Sequence, residues 1–286
     1  MILIRGIKQM SAVAGRAKAR GQSIGFVPTM GALHQAHLSL IRRARKENDF
    51  TVVSIFVNPA QFSPAEDFKK YPRNLSADTL FCKKEGVDVV FCPAAGQMYP
   101  KGFRSYITPE GLSGLLCGKS RPRHFKGVAT VVVKLFNIIG PDTAYFGQKD
   151  VQQAVIIKRL VCDLNIPVKI KVMPVIRDKD GLALSSRNVY LSRQERQDAL
   201  ILYQSLKHAR RLIKKGIRDS GRVISEIRRL VNRKNTARID YVSVVDPGDL
   251  KPVKRIKSNC LIALAVWLGK TRLIDNIVIT KAQAKV

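Results

Sequence analysis

The chain has 286 residues, of which 45% are hydrophobic, and this is enough to bury the cores of one large or two modest domains. It carries 51 lysines and arginines against 21 aspartates and glutamates, a formal net charge of +30. No apolar run reaches the length of a membrane span, the N-terminus lacks the apolar core of a signal peptide, and the five cysteines never form a C-x-x-C pair. We therefore expect a cytoplasmic protein with free thiols, no disulfide framework and no membrane partner.

Helices and strands alternate over the first part of the chain. Hydrophobic periodicity predicts strands at 24–28, 51–57, 87–91, 143–146 and 168–173, and helices at 7–20, 38–48, 75–85, 125–139 and 150–164. Strands that alternate with helices are typical of α/β proteins in which a parallel sheet is covered on both faces. The pattern therefore predicts a Rossmann-like, doubly wound sheet, with its ligand at the carboxyl ends of the strands.

The pattern changes near residue 176. Two basic helices are predicted at 193–215 and 219–234, followed by three strands at 237–246, 261–269 and 272–280. We place a domain boundary here, which gives a Rossmann-like domain over 1–176 and a smaller α+β domain with an antiparallel sheet over 177–286.

The positive charge is densest at residues 207–238, where 12 lysines and arginines face only two acidic residues, Asp219 and Glu226. A nucleic-acid or anionic-membrane surface is one interpretation. A solvated helical surface that also attracts anionic substrates is the other. We favour the second and expect no nucleic-acid partner, because no interleaved aromatic residues and no nucleic-acid-binding motif accompany the charge.

The stretch PTMGALHQAH at 28–37 follows the first predicted strand and contains His34 and His37. Their spacing puts both imidazoles on one face of the first turn of a helix. Unpaired backbone N–H groups and the helix dipole make such a turn an anion site, and Gly31 and Ala32 let a nucleotide approach the backbone. A pair of surface histidines, or half of a metal site completed by the remaining histidines, is the alternative; the remaining histidines are His124 and His208.

Two further motifs offer groups for binding a small acid. FVNPAQF places Asn58 and Gln61 after the second predicted strand, where neutral amides could orient a hydroxy acid; an ordinary polar loop is the alternative. RPRHFKGVATVV collects basic side chains before an apolar helix, which suit a carboxylate or a phosphate or else form a solvated loop. These side chains are Arg121, Arg123, His124 and Lys126.

Two other motifs offer groups for a polyphosphate. GQKD at 147–150 sets Lys149 beside Asp150 at a strand-to-helix junction, where helix capping by Asp150 is the alternative. SSRN at 185–188 combines two hydroxyls with the guanidinium of Arg187 on a loop flanked by glycine. Such groups can cradle a phosphate chain, although most Ser-Ser-Arg runs are ordinary turns or helix caps.

Taken together, six motifs resemble the pantothenate synthetase (pantoate–β-alanine ligase) family. They are PTMGALHxxH, FVNPxQF, YPR, RPxHFxGVxTVV, FGxKDxQQ and GLAxSSRNxYL, and in this order they extend over essentially the whole chain. The family belongs to the cytidylyltransferase-like superfamily, which is related to class I aminoacyl-tRNA synthetases. The resemblance implies ATP-dependent ligation of pantoate to β-alanine through pantoyl adenylate, with Mg²⁺ accompanying ATP, in a homodimer whose C-terminal domain acts as a lid.

The resemblance also implies roles for individual residues. His37, His34, Lys149 and Arg187 would serve the chemistry, with His37 in the proton-donor position of the family. Asn58, Gln61 and Gln153 would bind pantoate and β-alanine. The ATP-binding residues would be Met30, Gly31, Ala32, Leu33, His34, Gln35, Ala36, His37, Gly147, Gln148, Lys149, Asp150, Ile176, Leu184, Ser185, Ser186 and Arg187.

Three positions depart from the family pattern. Ala36 replaces a glycine between the two histidines, Leu184 replaces a methionine and Gln148 replaces a glutamate. None of these changes removes a group assigned to chemistry, and we expect Ala36 to weaken ATP binding only modestly. Another ligase or nucleotidyltransferase of the same superfamily would share the two ATP motifs, but it would have no reason to keep both Asn58-Pro-x-Gln61 and Gln153.

Overall fold

The computed structural model describes residues 1–64 and 66–280. The strands are β1 (Ile2–Ile4), β2 (Ile24–Thr29), β3 (Phe50–Ile55), β4 (Val89–Phe91), β5 (Thr143–Gly147), β6 (Lys169–Met173), β7 (Ala237–Val245), β8 (Cys260–Leu268) and β9 (Thr271–Ile279). The α-helices are α1 (Ile7–Ala19), α2 (Gln35–Glu47), α3 (Leu75–Lys84), α4 (Ala95–Met98), α5 (Cys117–Ser120), α6 (His124–Ile139), α7 (Val151–Asp163), α8 (Arg193–Asp198), α9 (Ile201–Lys214) and α10 (Ser220–Val231). Short 3₁₀ turns occupy Pro59–Gln61, Leu112–Gly114, Gln148–Asp150 and Ser186–Tyr190.

The first six strands form one parallel sheet in the order β1-β4-β3-β2-β5-β6. Strand β2 pairs with β3 on one side and with β5 on the other, so the direction of winding reverses between β2 and β5. In open parallel sheets, ligands bind beyond the carboxyl ends of the strands at such a switch point. The structure confirms the predicted α/β class.

Both faces of the parallel sheet are buried, because successive side chains of a strand point to opposite faces. Phe26 and Val52 pack into one apolar cluster with helix α6, whereas the adjacent residues Val27 and Val53 pack into another with helix α2. The β-branched and aromatic runs of the sequence are therefore the inner layer of a three-layer sandwich.

The last three strands form an antiparallel sheet in the order β7-β8-β9. One face packs on helices α9 and α10, whose apolar residues share a core with Val242, Leu264 and Ile277. The pairing of β7 with β8 shifts register between Ile239 and Tyr241. This arrangement confirms the predicted small α+β region with an antiparallel sheet.

The chain forms two compact units that do not follow one sequence boundary. The first unit comprises 1–114, 121–147 and 156–174, and the second comprises 115–120, 148–155 and 175–286. A division at residue 176 describes the main change of pattern, but two short segments of the preceding sequence pack with the second unit. Each unit is described by itself below.

Three of the differences between the observed and the predicted elements are the most informative. Strand β1 was not predicted, and helix α2 begins at Gln35 rather than at residue 38. The helix predicted over 193–215 is interrupted between α8 and α9, where the Leu200 N–H donates to the Gln197 carbonyl three residues back and tightens the turn. Across the described residues, no helix is both long and apolar enough to cross a bilayer.

Candidate active site

Residues 30–34, here called the histidine loop, connect β2 to α2 in the first unit. The loop turns through two left-handed residues, Gly31 (φ +80°) and Ala32 (φ +51°). The buried carboxylate of Asp78, on α3, accepts the N–H groups of Ala32 at 2.9 Å and Leu33 at 2.8 Å. A Cβ on Gly31 would lie 2.8 Å from Asp78 Oδ2, so glycine allows this close approach. Burial raises the pKa of Asp78, and the two N–H donors oppose that rise.

The two imidazoles lie together at the start of α2. His34 is the N-cap with extended backbone, and its N–H donates to Nδ1 of His37 at 3.3 Å. The ring centroids are 4.2 Å apart. Because Nδ1 of His37 accepts a backbone N–H, the ring proton of the neutral form resides on Nε2. Nε2 is therefore the atom of His37 that can donate a proton or a hydrogen bond to a ligand.

Asn58 and Gln61 form a network of neutral amides at the carboxyl end of β3. Asn58 Nδ2 donates to Gln61 Oε1 at 3.1 Å and to the Gly127 carbonyl at 3.0 Å, and its Oδ1 accepts the Tyr99 hydroxyl at 2.8 Å. Gln61 Nε2 lies 3.0 Å from the sulfur of Met30 in the histidine loop. The two motifs thus form one continuous surface. Burial raises the pKa of Tyr99, so its hydroxyl stays protonated and remains a donor.

Helix α6 packs directly on the backbone of this network. A Cβ at Gly127 would overlap the Ala60 carbonyl group, so no other residue fits there without movement of the backbone. The His124 ring, one turn earlier, contacts the Gln61 carbonyl through Nδ1 at 3.0 Å. The motif RPRHFKGVATVV therefore contributes packing through Gly127 in addition to the charges of its basic residues.

The basic cluster before α6 is partly neutralised. Arg121 forms a two-pronged ion pair with Glu66, at 2.6 and 2.8 Å, and contacts His124 Nε2 at 3.2 Å. Burial acts to raise the pKa of Glu66, but the hydrogen bonds and charge of Arg121 outweigh it and hold the pKa below its usual range. Lys126 lies over the ring of Tyr106. Arg121 is therefore engaged within the protein, which disfavours it as an anion ligand, while Arg123 is exposed.

The second unit contains the segment after β5. Lys149 lies in the 3₁₀ turn Gln148–Asp150, which leads into α7. Gln152 is buried, and its amide bridges the segment 115–120: Oε1 accepts the Cys117 N–H at 2.9 Å and Nε2 donates to the Leu115 carbonyl at 2.7 Å. Gln153, the predicted pantoate ligand, is half-buried beside it.

The serine-arginine loop, residues 184–188, is also in the second unit. The Leu184 N–H donates to the Ile176 carbonyl at 3.0 Å, which places these two predicted ATP-binding residues next to one another. Ser185 caps the 3₁₀ turn Ser186–Tyr190 by accepting the Arg187 N–H at 3.3 Å, and Asn188 Nδ2 donates to the Ala183 carbonyl at 3.1 Å. The loop is therefore a defined turn.

A buried ion pair lies at the segment that precedes that loop. Arg177 donates two hydrogen bonds to Asp275, at 2.6 and 2.8 Å, and a third to the Gly181 carbonyl at 3.1 Å. Its guanidinium lies 3.7 Å from the centre of the Tyr203 ring. Asp275 is almost fully buried, and the guanidinium of Arg177 balances its charge. The Gly181 carbonyl and the Tyr203 ring hold that guanidinium in place.

The predicted site residues thus form two groups, each organised within its own unit. The first unit holds Met30–His37, Asn58, Gln61 and Gly147, and the second holds Gln148–Asp150, Gln153, Ile176 and Leu184–Arg187. Sequence analysis missed the side chains that support these groups, namely Asp78, Tyr99, Gln152, Asp275 and Asn276. No group of three or more His, Cys, Asp or Glu side chains that could hold a metal occurs within 1–64 and 66–280, so the metal interpretation of the histidine pair gains no support.

A parallel sheet of this strand order, with a helix N-terminus and two imidazoles beyond the strand at its switch point, is characteristic of an α/β nucleotide-binding enzyme. The family model described as pantoate-beta-alanine ligase matches residues 2–278. The chain belongs to this family of ligases.

Individual relatives agree with this assignment. Pantothenate synthetase from Heliobacterium modesticaldum is 53% identical over 279 residues, covering 98% of this chain and 99% of the relative. The crystal structure of pantothenate synthetase from Thermus thermophilus has a TM-score of 0.92 at 40% identity, covering 97% of this chain and 99% of that one. A pantoate-beta-alanine ligase from Francisella tularensis, complexed with beta-gamma ATP and beta-alanine, has a TM-score of 0.82 at 38% identity, covering 99% and 98%.

Proposed function

We propose that the chain condenses (R)-pantoate with β-alanine, using ATP, to give pantothenate, AMP and pyrophosphate through a pantoyl-adenylate intermediate. The observation that carries the proposal is the 3.0 Å contact between Gln61 Nε2 and Met30 Sδ. It joins the neutral amides suited to a hydroxy acid to the histidine loop suited to a nucleotide. Family membership, and the beta-gamma ATP and beta-alanine in the complex of the Francisella relative, support the same substrates.

In the first step, a carboxylate oxygen of pantoate attacks the α-phosphorus of ATP. An O–P bond forms, the bond from the α-phosphorus to the bridging oxygen breaks, and pyrophosphate leaves. The reactants are both anions, so cations and oriented dipoles must offset their repulsion in the transition state. His34, His37, Lys149 and Arg187 are the groups to which we assign this task, with the N-terminus of α2 adding its dipole.

In the second step, the amine of β-alanine attacks the acyl carbon of pantoyl adenylate. The C–N bond forms, the C–O bond to AMP breaks, and the amine loses a proton. Adenylation itself activates the acyl group, so the enzyme needs no covalent nucleophile. The neutral side chains of Asn58 and Gln61 can hold the pantoyl hydroxyls through both steps without placing another charge beside the phosphates.

The remaining assignments complete the nucleotide and acid sites. We assign Gln153 with Gln61 and Asn58 to pantoate and β-alanine, and we assign the following residues to ATP: Met30 to His37, Gly147 to Asp150, Ile176, and Leu184 to Arg187. The histidine loop contributes backbone N–H groups at a helix start, and the serine-arginine loop contributes hydroxyls and a guanidinium.

Three further properties belong to the same proposal. Mg²⁺ would accompany ATP and would supply positive charge against its phosphates. The protein is a cytoplasmic homodimer, and its C-terminal domain, residues 177–286, acts as a lid that excludes water from the adenylate. Sedimentation equilibrium tests the dimer, and the dependence of the rate on added Mg²⁺ tests the ion.

The decisive experiment measures AMP and pantothenate formed from ATP, pantoate and β-alanine. Pyrophosphate release with pantoate and ATP alone isolates the first step. We expect His37→Ala and Gln61→Ala each to lower kcat/KM for pantoate in pyrophosphate release about 100-fold. The first variant removes a transition-state donor, and the second removes a group that orients pantoate.

The controls are His208→Ala and Gln97→Ala, which make the same chemical changes at positions outside the proposed site. Both controls should keep the wild-type rate. Absence of pantothenate from the wild-type reaction would overturn the proposed function. Wild-type rates in both site variants would overturn the residue assignments.

A further inference from the structure

The outer strand of the antiparallel sheet carries two adjacent buried polar side chains. Asp275 and Asn276 lie in the middle of β9, and both are only 2% exposed. Their side chains point to opposite faces of the sheet, and Asp275 pairs with Arg177 on one of them. A buried carboxamide is unfavourable unless its hydrogen-bonding groups are satisfied, so the partners of Asn276 indicate why it is there.

The Asn276 carboxamide binds one turn through both of its polar atoms. Its Nδ2 donates to the carbonyl of Gln148 at 2.9 Å and to the carbonyl of Lys149 at 3.0 Å. Its Oδ1 accepts a hydrogen bond from Gln148 Nε2 at 3.2 Å. Both donors and the acceptor are therefore used on the 3₁₀ turn Gln148–Asp150, all within the second unit.

This geometry fixes the direction of Lys149. Two consecutive carbonyls held by one planar NH₂ group set the orientation of the peptide planes on both sides of the Lys149 Cα. The Cα–Cβ bond of Lys149 follows from those planes, and with it the arc that the ammonium group can reach. Since the carboxamide of Asn276 is occupied by protein groups of the turn, any effect on the reaction passes through the turn Gln148–Asp150, whose charged group for the phosphates is Lys149.

A second set of side chains on the same face of the sheet holds the other short segment of the second unit, residues 115–120. Arg272, four residues before Asn276 on β9, donates to Asp240 at 2.6 and 3.0 Å, and Asp240 accepts the Ser120 hydroxyl at 2.7 Å. The same segment, 115–120, is bridged by Gln152. Through Arg272 and Asn276, this face of β9 thus helps to hold both short segments of the second unit, 115–120 and 148–155.

We propose that Asn276 is a positioning residue for the adenylation step, acting by fixing the backbone of Lys149 so that its ammonium meets the phosphates of ATP. The inference rests on the proposed function, in which Lys149 neutralises the polyphosphate. Misplacement of a charged group by about 1 Å can slow a reaction about 100-fold. Asn276→Ala should therefore lower kcat/KM for ATP in pyrophosphate release about 30- to 100-fold. The KM for β-alanine in the second step should stay within about twofold.

The test is a double-mutant cycle of Asn276→Ala and Lys149→Ala, measured as kcat/KM for ATP in pyrophosphate release. If Asn276 acts through Lys149, adding Asn276→Ala to Lys149→Ala should slow the reaction by less than about threefold. If the two losses multiply, Asn276 does not act through Lys149 and the inference is wrong.

Two more variants separate positioning from stability. Ile277→Ala removes core packing from the adjacent position of β9 and should lower the Tm while leaving kcat/KM for ATP within about twofold. Asn276→Ser keeps one hydroxyl donor, so it should fall between wild type and Asn276→Ala, and it serves the same comparison if the alanine variant does not fold. Equal rates for Asn276→Ser and wild type would contradict the inference.

The cycle also distinguishes this inference from the proposed function. A wild-type enzyme without pyrophosphate release overturns both. An active wild type with an unimpaired Lys149→Ala variant overturns the role of Lys149 and with it that of Asn276. An impaired Lys149→Ala variant with multiplying losses overturns only the role of Asn276.

Discussion

The histidine loop of the first unit and the lysine turn of the second unit, Gln148–Asp150, are held by opposite kinds of side chain. The histidine loop directs backbone N–H groups at its support, and that support is the carboxylate of Asp78, which can only accept. The lysine turn directs carbonyls at its support, and that support is Asn276, whose NH₂ group donates twice. The comparison shows that the polarity of a loop backbone selects an acid or an amide to hold it.

The comparison predicts that exchanging acceptor for donor at Asp78 has the largest effect on the rate of pyrophosphate release. In Asp78→Asn one oxygen becomes an NH₂ group that faces a backbone N–H, and Asp78→Ala leaves both N–H groups buried without an acceptor. We expect a loss of about 2 kcal/mol in unfolding free energy and about 100-fold in the rate of pyrophosphate release. Urea unfolding and the pyrophosphate assay measure these two quantities.

The matched control is Asp163→Asn, which makes the same change at an exposed residue paired with Arg159. It should leave both quantities unchanged within error. A rate for Asp78→Asn equal to that of the control would show that the histidine loop holds its shape without the carboxylate.

The second prediction extends the comparison to Asp275, whose buried carboxylate accepts the Asn276 N–H at 2.7 Å and also faces the guanidinium of Arg177. Asp275→Asn leaves the guanidinium of Arg177 in a largely buried position without a balancing charge. We expect a loss of about 3 kcal/mol in unfolding free energy, because one half of a buried ion pair is then uncompensated. Urea unfolding measures this loss.

The control for Asp275 is Asp249→Asn, which removes a carboxylate from a half-exposed pair with Lys251. Water screens such a pair, so this variant should unfold at the wild-type urea concentration within error. A loss at Asp275 no larger than that of the control would contradict the account of the buried pair.

The third prediction concerns a carboxylate that supports no loop. Lys171 and Tyr145, followed by Arg43, lower the pKa of Glu47 to about 2 by hydrogen bonding. A carboxyl whose pKa is depressed in the folded state stabilises the fold above the pKa of the unfolded chain and loses that contribution as the pH falls towards 2. Glu47→Gln should therefore lower the unfolding free energy at pH 7 by at most about 1 kcal/mol.

The measurement is the difference in unfolding free energy between Glu47→Gln and wild type, taken from pH 7 down to the lowest pH at which both fold. The difference should shrink steadily below about pH 5. A constant difference would mean that the charge of Glu47 is not the source of the effect. Glu110→Gln, at an exposed position, is the reference variant.

The smallest expected effect is at Ala36, between the two histidines. The family pattern has glycine here, and the added methyl would press on a nucleotide that lies along the loop. Ala36→Gly should lower the KM for ATP about twofold and leave kcat nearly unchanged, since glycine also weakens the first turn of α2 by about 1 kcal/mol or less. A large gain in kcat would refute this prediction.

The sequence predicted the elements with strong periodicity and the groups that are adjacent in the chain. The parallel strands were found because their apolar runs are long and rich in β-branched residues. Strand β1 was missed because three apolar residues carry no usable period, and its pairing with β4 depends on residues far along the chain, Ile2 with Val89. The spacing of His34 and His37 indicated the first turn of α2, but the apolar periodicity placed the start of the helix at residue 38, because a histidine N-cap is polar and lies outside the apolar stripe.

The supports of the site could not be predicted for a related reason. Asp78 lies in the first turn of α3, where an acid is already explained by the helix dipole, and only the fold shows that it contacts a loop 45 residues earlier. Asn276 lies 127 residues after Lys149. Patterns along the chain report local structure and local motifs, whereas both of these contacts are set by how elements pack.

Gly127 sets a limit on how this enzyme can be redesigned. Because its Cα rests against the Ala60 carbonyl, the loop that carries Asn58 and Gln61 has a fixed separation from α6. A library that seeks acceptance of bulkier acids gains nothing by randomising position 127, since every side chain larger than hydrogen displaces the loop. Diversity belongs instead at Met30, whose flexible thioether borders the same amides.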